Sequence, residues 1–132
     1  METVRDAMVP EPTTLSAGAS AQDAGLCLVS PEVRAIFVTE DDGRLVGVVT
    51  RKTLVREVVA AGLDPRTVAL RDVCEAPHFT LGAGVGLEDG FHFLEEQDLE
   101  RVPVVEDGRL VGVLSRAVVQ RRLAEDETLL DS

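Results

Sequence analysis

The chain has 132 residues, 45% of them apolar and only 3% aromatic, with four Phe and no Trp or Tyr. This length suits one ordinary domain or two half-size units sharing a core, and it buries roughly two-thirds of its unfolded surface without staples. Thirteen Lys and Arg against twenty-four Asp and Glu leave a net charge of −11, which disfavours nucleic-acid and anionic-membrane partners, and the scarce aromatics leave little to stack on bases.

In chain order, the start lacks the basic and apolar regions of a signal peptide. Thr13 to Leu15 reads as an extended piece, Ala21 to Val29 as a helix stopped by Pro31, and Ala35 to Thr39 and Leu45 to Val49 as strands. Thr53 to Ala61 is a second helix, ended by Gly62 and Pro65. Beyond a linker at 63–66, the same order returns: extended His78 to Leu81, helix Leu87 to Glu96, then strands Arg101 to Val105 and Arg109 to Leu114. Glu106-Asp107-Gly108 between those strands is a hairpin signal. Ser115 then stands where an N-cap belongs, before a helix over Ala117 to Leu123. Residues 125–132 read as an acidic, frayed tail. No run approaches the ~18 apolar residues that span a bilayer, so a cytoplasmic protein is expected.

The order repeats because the sequence repeats. Residues 42–48 and 107–113 both read Asp-Gly-Arg-Leu-Val-Gly-Val. Upstream, Arg5-Asp6 answers Arg71-Asp72, Thr14-Leu15 answers Thr80-Leu81, and Val38 answers Val104. The one-residue change of offset falls in the turn, where Glu-Asp-Asp-Gly in one copy becomes Glu-Asp-Gly in the other. The expected fold is α/β (α+β), with two strand-helix-strand-strand-helix units at 1–62 and 67–124 that cover each other's exposed faces about a pseudo-twofold axis.

These motifs resemble the cystathionine-β-synthase (CBS) domain, and two in tandem resemble the CBS pair, or Bateman module. The likeness runs from Val4 to Ala124: Val-Arg-Asp-x-Met, Pro-x-Thr-Leu, a hydrophobic-Pro-Val-Val strand, Asp-Gly-Arg-Leu-Val-Gly-Val, and Thr or Ser opening a helix. The resemblance implies βαββα units, a frequent dimer of pairs, and clefts between the two units that in many members take an adenosine nucleotide to regulate an attached or partner protein. In that pattern the extended piece and the strand sandwich adenine, a Thr or Ser at the last helix meets phosphate, and an Asp three residues on holds the ribose.

Carried onto this chain, the resemblance assigns Pro77, His78 and Phe79, then Arg101, Val102 and Pro103, then Ser115 and Arg116 in the second copy. In the first it assigns Thr13 and Thr14 after Pro12, Ile36 beside Phe37, Thr50 and Arg51, with Thr53 at the ribose position. The second copy's ribose position is Val118, and an aliphatic group there leaves sugar hydroxyls unpaired at roughly 1–3 kcal/mol. The expected ligand is AMP, ADP, ATP or S-adenosylmethionine.

Ordinary readings stand beside these. Thr50 and Ser115 serve equally as plain N-caps, Phe37 and Phe79 as core, Arg101 as a partner for surface carboxylates, and His92 as surface. Arg51 and Arg116 oppose the helix dipole in the first turn, which hints at a nearby anion. Gly82, Gly84 and Gly86 lack the Lys-Ser or Lys-Thr of a phosphate loop and read as a turn. Cys27 and Cys74 have no metal-ligand spacing and read as reduced packing residues. No nucleophile-base constellation points to an enzyme. Two functions remain: a regulatory module sensing an adenosyl ligand, or a ligand-free assembly module binding its own copy or a client protein.

Overall fold

Fourteen elements follow one another along the chain in a computed structural model that describes residues 2–10 and 12–131, with side chains through residue 125. They are α1 (Val4–Ala7), β1 (Val9–Pro10), β2 (Thr14–Ser16), α2 (Ala21–Leu28), β3 (Ile36–Thr39), β4 (Leu45–Val49) and α3 (Arg51–Leu54), which runs into a π-helical stretch, Val55–Val59. Next come α4 (Leu70–Val73), β5 (Leu81–Gly82), α5 (Leu87–Glu96), β6 (Arg101–Glu106), β7 (Arg109–Ser115) and α6 (Arg116–Asp131). The expected mixed α/β class holds. Residue 132 of the expected tail lies outside the described residues, and α6 carries the backbone through Asp131.

Local chemistry accounts for the hairpins. Asp107 and Gly108 both adopt positive φ, 54° and 79°, which matches a tight two-residue turn to the twist of β6 and β7. The first copy's extra turn residue leaves a longer connection, in which Gly43 alone takes a positive φ of 90°. The strands then pair with matching registers: Val38 opposite Gly47, and Val104 opposite Gly112.

Two short helices escaped the sequence reading, and they decide how the chain divides. One compact unit comprises Met1–Glu11 and Phe79–Ser132, the other Pro12–His78. The leading segment of each sequence copy therefore packs with the body of the other copy. In the first unit, Val4 N–H donates to the Val85 carbonyl at 2.8 Å and Arg5 N–H to the Ala83 carbonyl at 3.1 Å. At the equivalent places in the second, Leu70 N–H donates to the Ala19 carbonyl at 2.8 Å and Arg71 N–H to the Ala17 carbonyl at 3.0 Å. Ion pairs repeat the correspondence, Arg5 with Glu106 at 2.7 Å and Arg71 with Glu40 at 3.8 Å. Val4 and Leu70 are fully buried, and removing such a side chain from water is worth roughly 1.5–3 kcal/mol, enough to hold a four-residue helix that has little stability alone.

Each unit has its own core. Val4, Leu87, Leu94, Val102, Val104, Leu114 and Val119 fill one, behind the sheet β1-β7-β6-β5. Ala21, Ala24, Leu28, Ile36, Val38, Val49, Val58 and Leu70 fill the other, behind β2-β3-β4. Ala21 and Ala24, small residues of α2, are buried in that second core.

Candidate functional site

In the Pro12–His78 unit, parallel pairing sets Thr14 opposite Phe37, and Phe37 N–H donates to the Thr13 carbonyl at 3.0 Å. This brings Thr13, Thr14 and Ile36 together at one end of the sheet. Ile36 is fully buried and Phe37 nearly so, so Phe37 is core rather than an adenine platform. Thr50 caps α3: its hydroxyl accepts from Thr53 N–H at 3.3 Å, while Thr50 N–H donates to the Thr53 hydroxyl at 3.0 Å. Thr53, the ribose position, is fully buried. Its hydroxyl is spent on the helix start and presents no surface to a sugar.

Arg51 has a partner inside its own unit. Its guanidinium donates to the Leu28 carbonyl and, at 2.8 Å, to the Ser30 carbonyl. These carbonyls close α2, where unsatisfied acceptors and the negative end of the helix dipole gather. The cation at the start of α3 thus answers the preceding helix, which corrects the expectation that its placement signals a bound anion. A helix stopped by Pro31 with an Arg nearby was the available signal.

The unit built on the second copy differs. The β6–β7 register sets Arg101 directly opposite Ser115, and Arg116 N–H donates to the Glu100 carbonyl at 2.9 Å. Arg101, Ser115 and Arg116 therefore converge where β7 passes into α6. Among the described residues the half-buried Ser115 hydroxyl has no hydrogen-bond partner. Arg116 makes one ion pair, at 3.7 Å, with Asp98, whose side chain is 98% exposed; so open a pair is weak. Asp98 itself sits at φ 53° in the turn after α5, a contact with no sequence signal. Phe79, 37% exposed, packs edge-on against Phe93 with centroids 5.7 Å apart. Val102 is core, Pro103 half-buried, and Val118 half-buried. Pro77 and His78 fall at the end of the other unit.

Elsewhere, burial pushes the Cys74 thiol above its ordinary value, in keeping with a packing role beside Gly47. His92 is exposed, 3.6 Å from Glu95. Among the described residues no group of three or more His, Cys, Asp or Glu side chains could hold a metal ion, and no helix is long and apolar enough to cross a membrane.

The CBS domain matches this chain twice, at residues 4–60 and 70–125. The chain belongs to the CBS domain family. It is a tandem CBS pair. Hypoxic response protein 1 of Mycobacterium tuberculosis is 30% identical over 125 residues, 95% of this chain and 87% of that one. A crystal structure of hypoxic response protein I with two coordinated zinc ions superposes with a TM-score of 0.78 at 28% identity, covering 92% of this chain and 99% of that one. The structure of CBSX2 in complex with AMP gives a TM-score of 0.76 at 27% identity, covering 96% and 99%.

Proposed function

We propose that this CBS pair is a cytoplasmic regulatory module, not an enzyme, that binds an adenine nucleotide through the Arg101–Ser115–Arg116 corner. The observation that carries this reading is the asymmetry between the copies. The first spends Thr50, Arg51 and Thr53 on its own fold, whereas the second leaves a hydroxyl and two guanidinium groups at the N-terminus of a 16-residue helix. Helix N-terminus, Ser hydroxyl and Arg are phosphate ligands by charge and geometry. Without a ribose carboxylate, affinity rests on the phosphate and the base. The AMP held by CBSX2 supports AMP as the first ligand to try, and the net charge of −11 disfavours a triphosphate without Mg²⁺.

A thermal-shift series with AMP, ADP, ATP and S-adenosylmethionine tests this. Ligand at 100 times its dissociation constant adds ~2.7 kcal/mol to stability. AMP is expected to raise Tm, and Ser115→Ala and Arg116→Met to remove most of the rise. No response to any adenosyl compound removes the sensor reading. A second reading, a ligand-free assembly module, is favoured by the large apolar side chains left exposed on the Pro12–His78 unit.

A further inference from the structure

The helix before each hairpin ends differently in the two copies. In the second copy α5 closes on itself. Asp98 takes a left-handed φ of 53°, and the turn sends Asp98 N–H to the Glu95 carbonyl at 3.1 Å and Leu99 N–H to the Leu94 carbonyl at 2.8 Å. Gln97 N–H donates to the Phe93 carbonyl at 3.1 Å. These are the reversed bonds of a Schellman motif, in which a left-handed residue just past the helix satisfies its last acceptors. Leu94 is fully buried and Leu99 packs against the same core, the apolar contact that accompanies such an ending.

The first copy does not close this way. Pro31 stands where the second copy has Gln97, and Glu32 where it has Asp98. Proline has no N–H to give and disfavours helical geometry in the residue before it. Accordingly α2 stops at Leu28, while α5 runs two aligned positions further, through Glu96. Val33 N–H, aligned with Leu99, turns to the Ser30 carbonyl at 3.1 Å and leaves the Leu28 carbonyl to the Arg51 guanidinium. The aligned Leu94 carbonyl is already held by Leu99. Arg116 therefore keeps, among the described residues, one open ion pair, with Asp98 itself.

We infer that Asp98 is the positioning residue of the Arg101–Ser115–Arg116 corner. Its left-handed backbone closes α5 and withholds the helix-end carbonyls from Arg116, which leaves that guanidinium for a phosphate. Its carboxylate, 98% exposed and 3.7 Å from Arg116, holds the cation loosely enough for a phosphate to replace it. A pair so open is worth at most about fivefold in affinity, and a phosphate brings more charge and more acceptor oxygens than one carboxylate. The ligand half of the inference rests on the phosphate role proposed for Arg116; the helix-end half stands without a ligand.

Calorimetric titration of the full chain with AMP separates backbone from carboxylate. Asp98→Gly keeps the left-handed turn, which glycine adopts readily, and removes the carboxylate; AMP affinity is expected to rise, by up to about fivefold. The double variant Gln97→Pro/Asp98→Glu gives α5 the ending of α2. It should draw Arg116 onto the uncovered carbonyls and lower AMP affinity about tenfold or more. Asp98→Val disfavours a positive φ without adding a proline; it should lower affinity too, and it decides the matter if the double variant does not fold. Wild-type affinity in the opened-turn variant, or an equal loss in Asp98→Gly, overturns the inference.

Thermal unfolding without nucleotide reads the helix-end half alone. Arg116→Met should lower Tm by less than about 3 °C in the wild type and by about 5 °C or more in the opened-turn background, where the arginine has become a helix cap. Equal shifts in both backgrounds overturn the inference, whatever AMP does. A larger shift in the opened-turn background, with no AMP response from the wild type, supports the helix-end coupling and removes the nucleotide reading instead.

Discussion

Gly112 lies directly beneath Met8. A Cβ placed on Gly112 would stand 2.6 Å from the Met8 sulfur and 2.9 Å from the Val9 carbonyl oxygen, because β1 crosses β7 at this point. Gly47, its counterpart, meets Cys74 Sγ and the Glu75 carbonyl oxygen, each at 2.6 Å. The duplicated Gly of Asp-Gly-Arg-Leu-Val-Gly-Val is thus the gap through which the segment from the other copy passes. Gly112→Ala is expected to cost roughly 1–3 kcal/mol, because a backbone oxygen cannot swing aside as a side chain can. Gly84→Ala, where nothing lies within 4 Å, should change stability by less than about 0.5 kcal/mol. Denaturant unfolding of both variants checks this contrast.

Arg51 and Arg116 hold the same position in the two copies but separate under mutation. Arg51→Met removes the bonds to the carbonyls that end α2 and should lower stability by about 1–2 kcal/mol, with AMP affinity changed less than about twofold. Among the described residues Arg116→Met removes one open ion pair, so stability should move by less than about 1 kcal/mol while the AMP response falls. Equal effects on AMP binding from both variants would count against the asymmetry between the copies.

Asp6 supplies an acid-side prediction. The Thr3 N–H, 2.8 Å from its carboxylate, holds the Asp6 carboxyl below the ordinary aspartate value. A depressed folded-state value means that the stabilisation is present above the unfolded pKa and is lost as pH falls through the folded one. Asp6→Asn keeps an acceptor but removes the titration. Its Tm should therefore decline less steeply than the wild type's between about pH 5 and pH 2.

Much of this was legible in the residues. Asp107-Gly108 announced a hairpin because few residues tolerate positive φ twice in succession. The β-rich runs Arg101 to Val105 and Arg109 to Leu114 announced strands, since branched apolar side chains suit a pleated, half-buried surface. Thr50 and Ser115 marked helix starts, although among the described residues only Thr50 spends its hydroxyl on the cap. The helix expected over Thr53 to Ala61 does begin near there, but it turns π-helical at Val55, which composition alone does not signal. The four-residue helices α1 and α4 were missed because each is too short to show a period, and each is held by buried contacts remote in sequence. Arg51 misled for a related reason: a first-turn cation looks unpaired until the end of the preceding helix is seen beside it.

The sequence by itself determined the duplication, the strand and turn order of each copy, and membership of the CBS family, because turn chemistry, capping and β-rich runs act between residues a few positions apart. Only the tertiary structure decided that each copy's leading segment joins the other copy's body, that Thr53 is buried, and that Arg51 serves α2. Those outcomes depend on which distant surfaces exclude water together and which carbonyls are left wanting a donor, and both are properties of the packed chain.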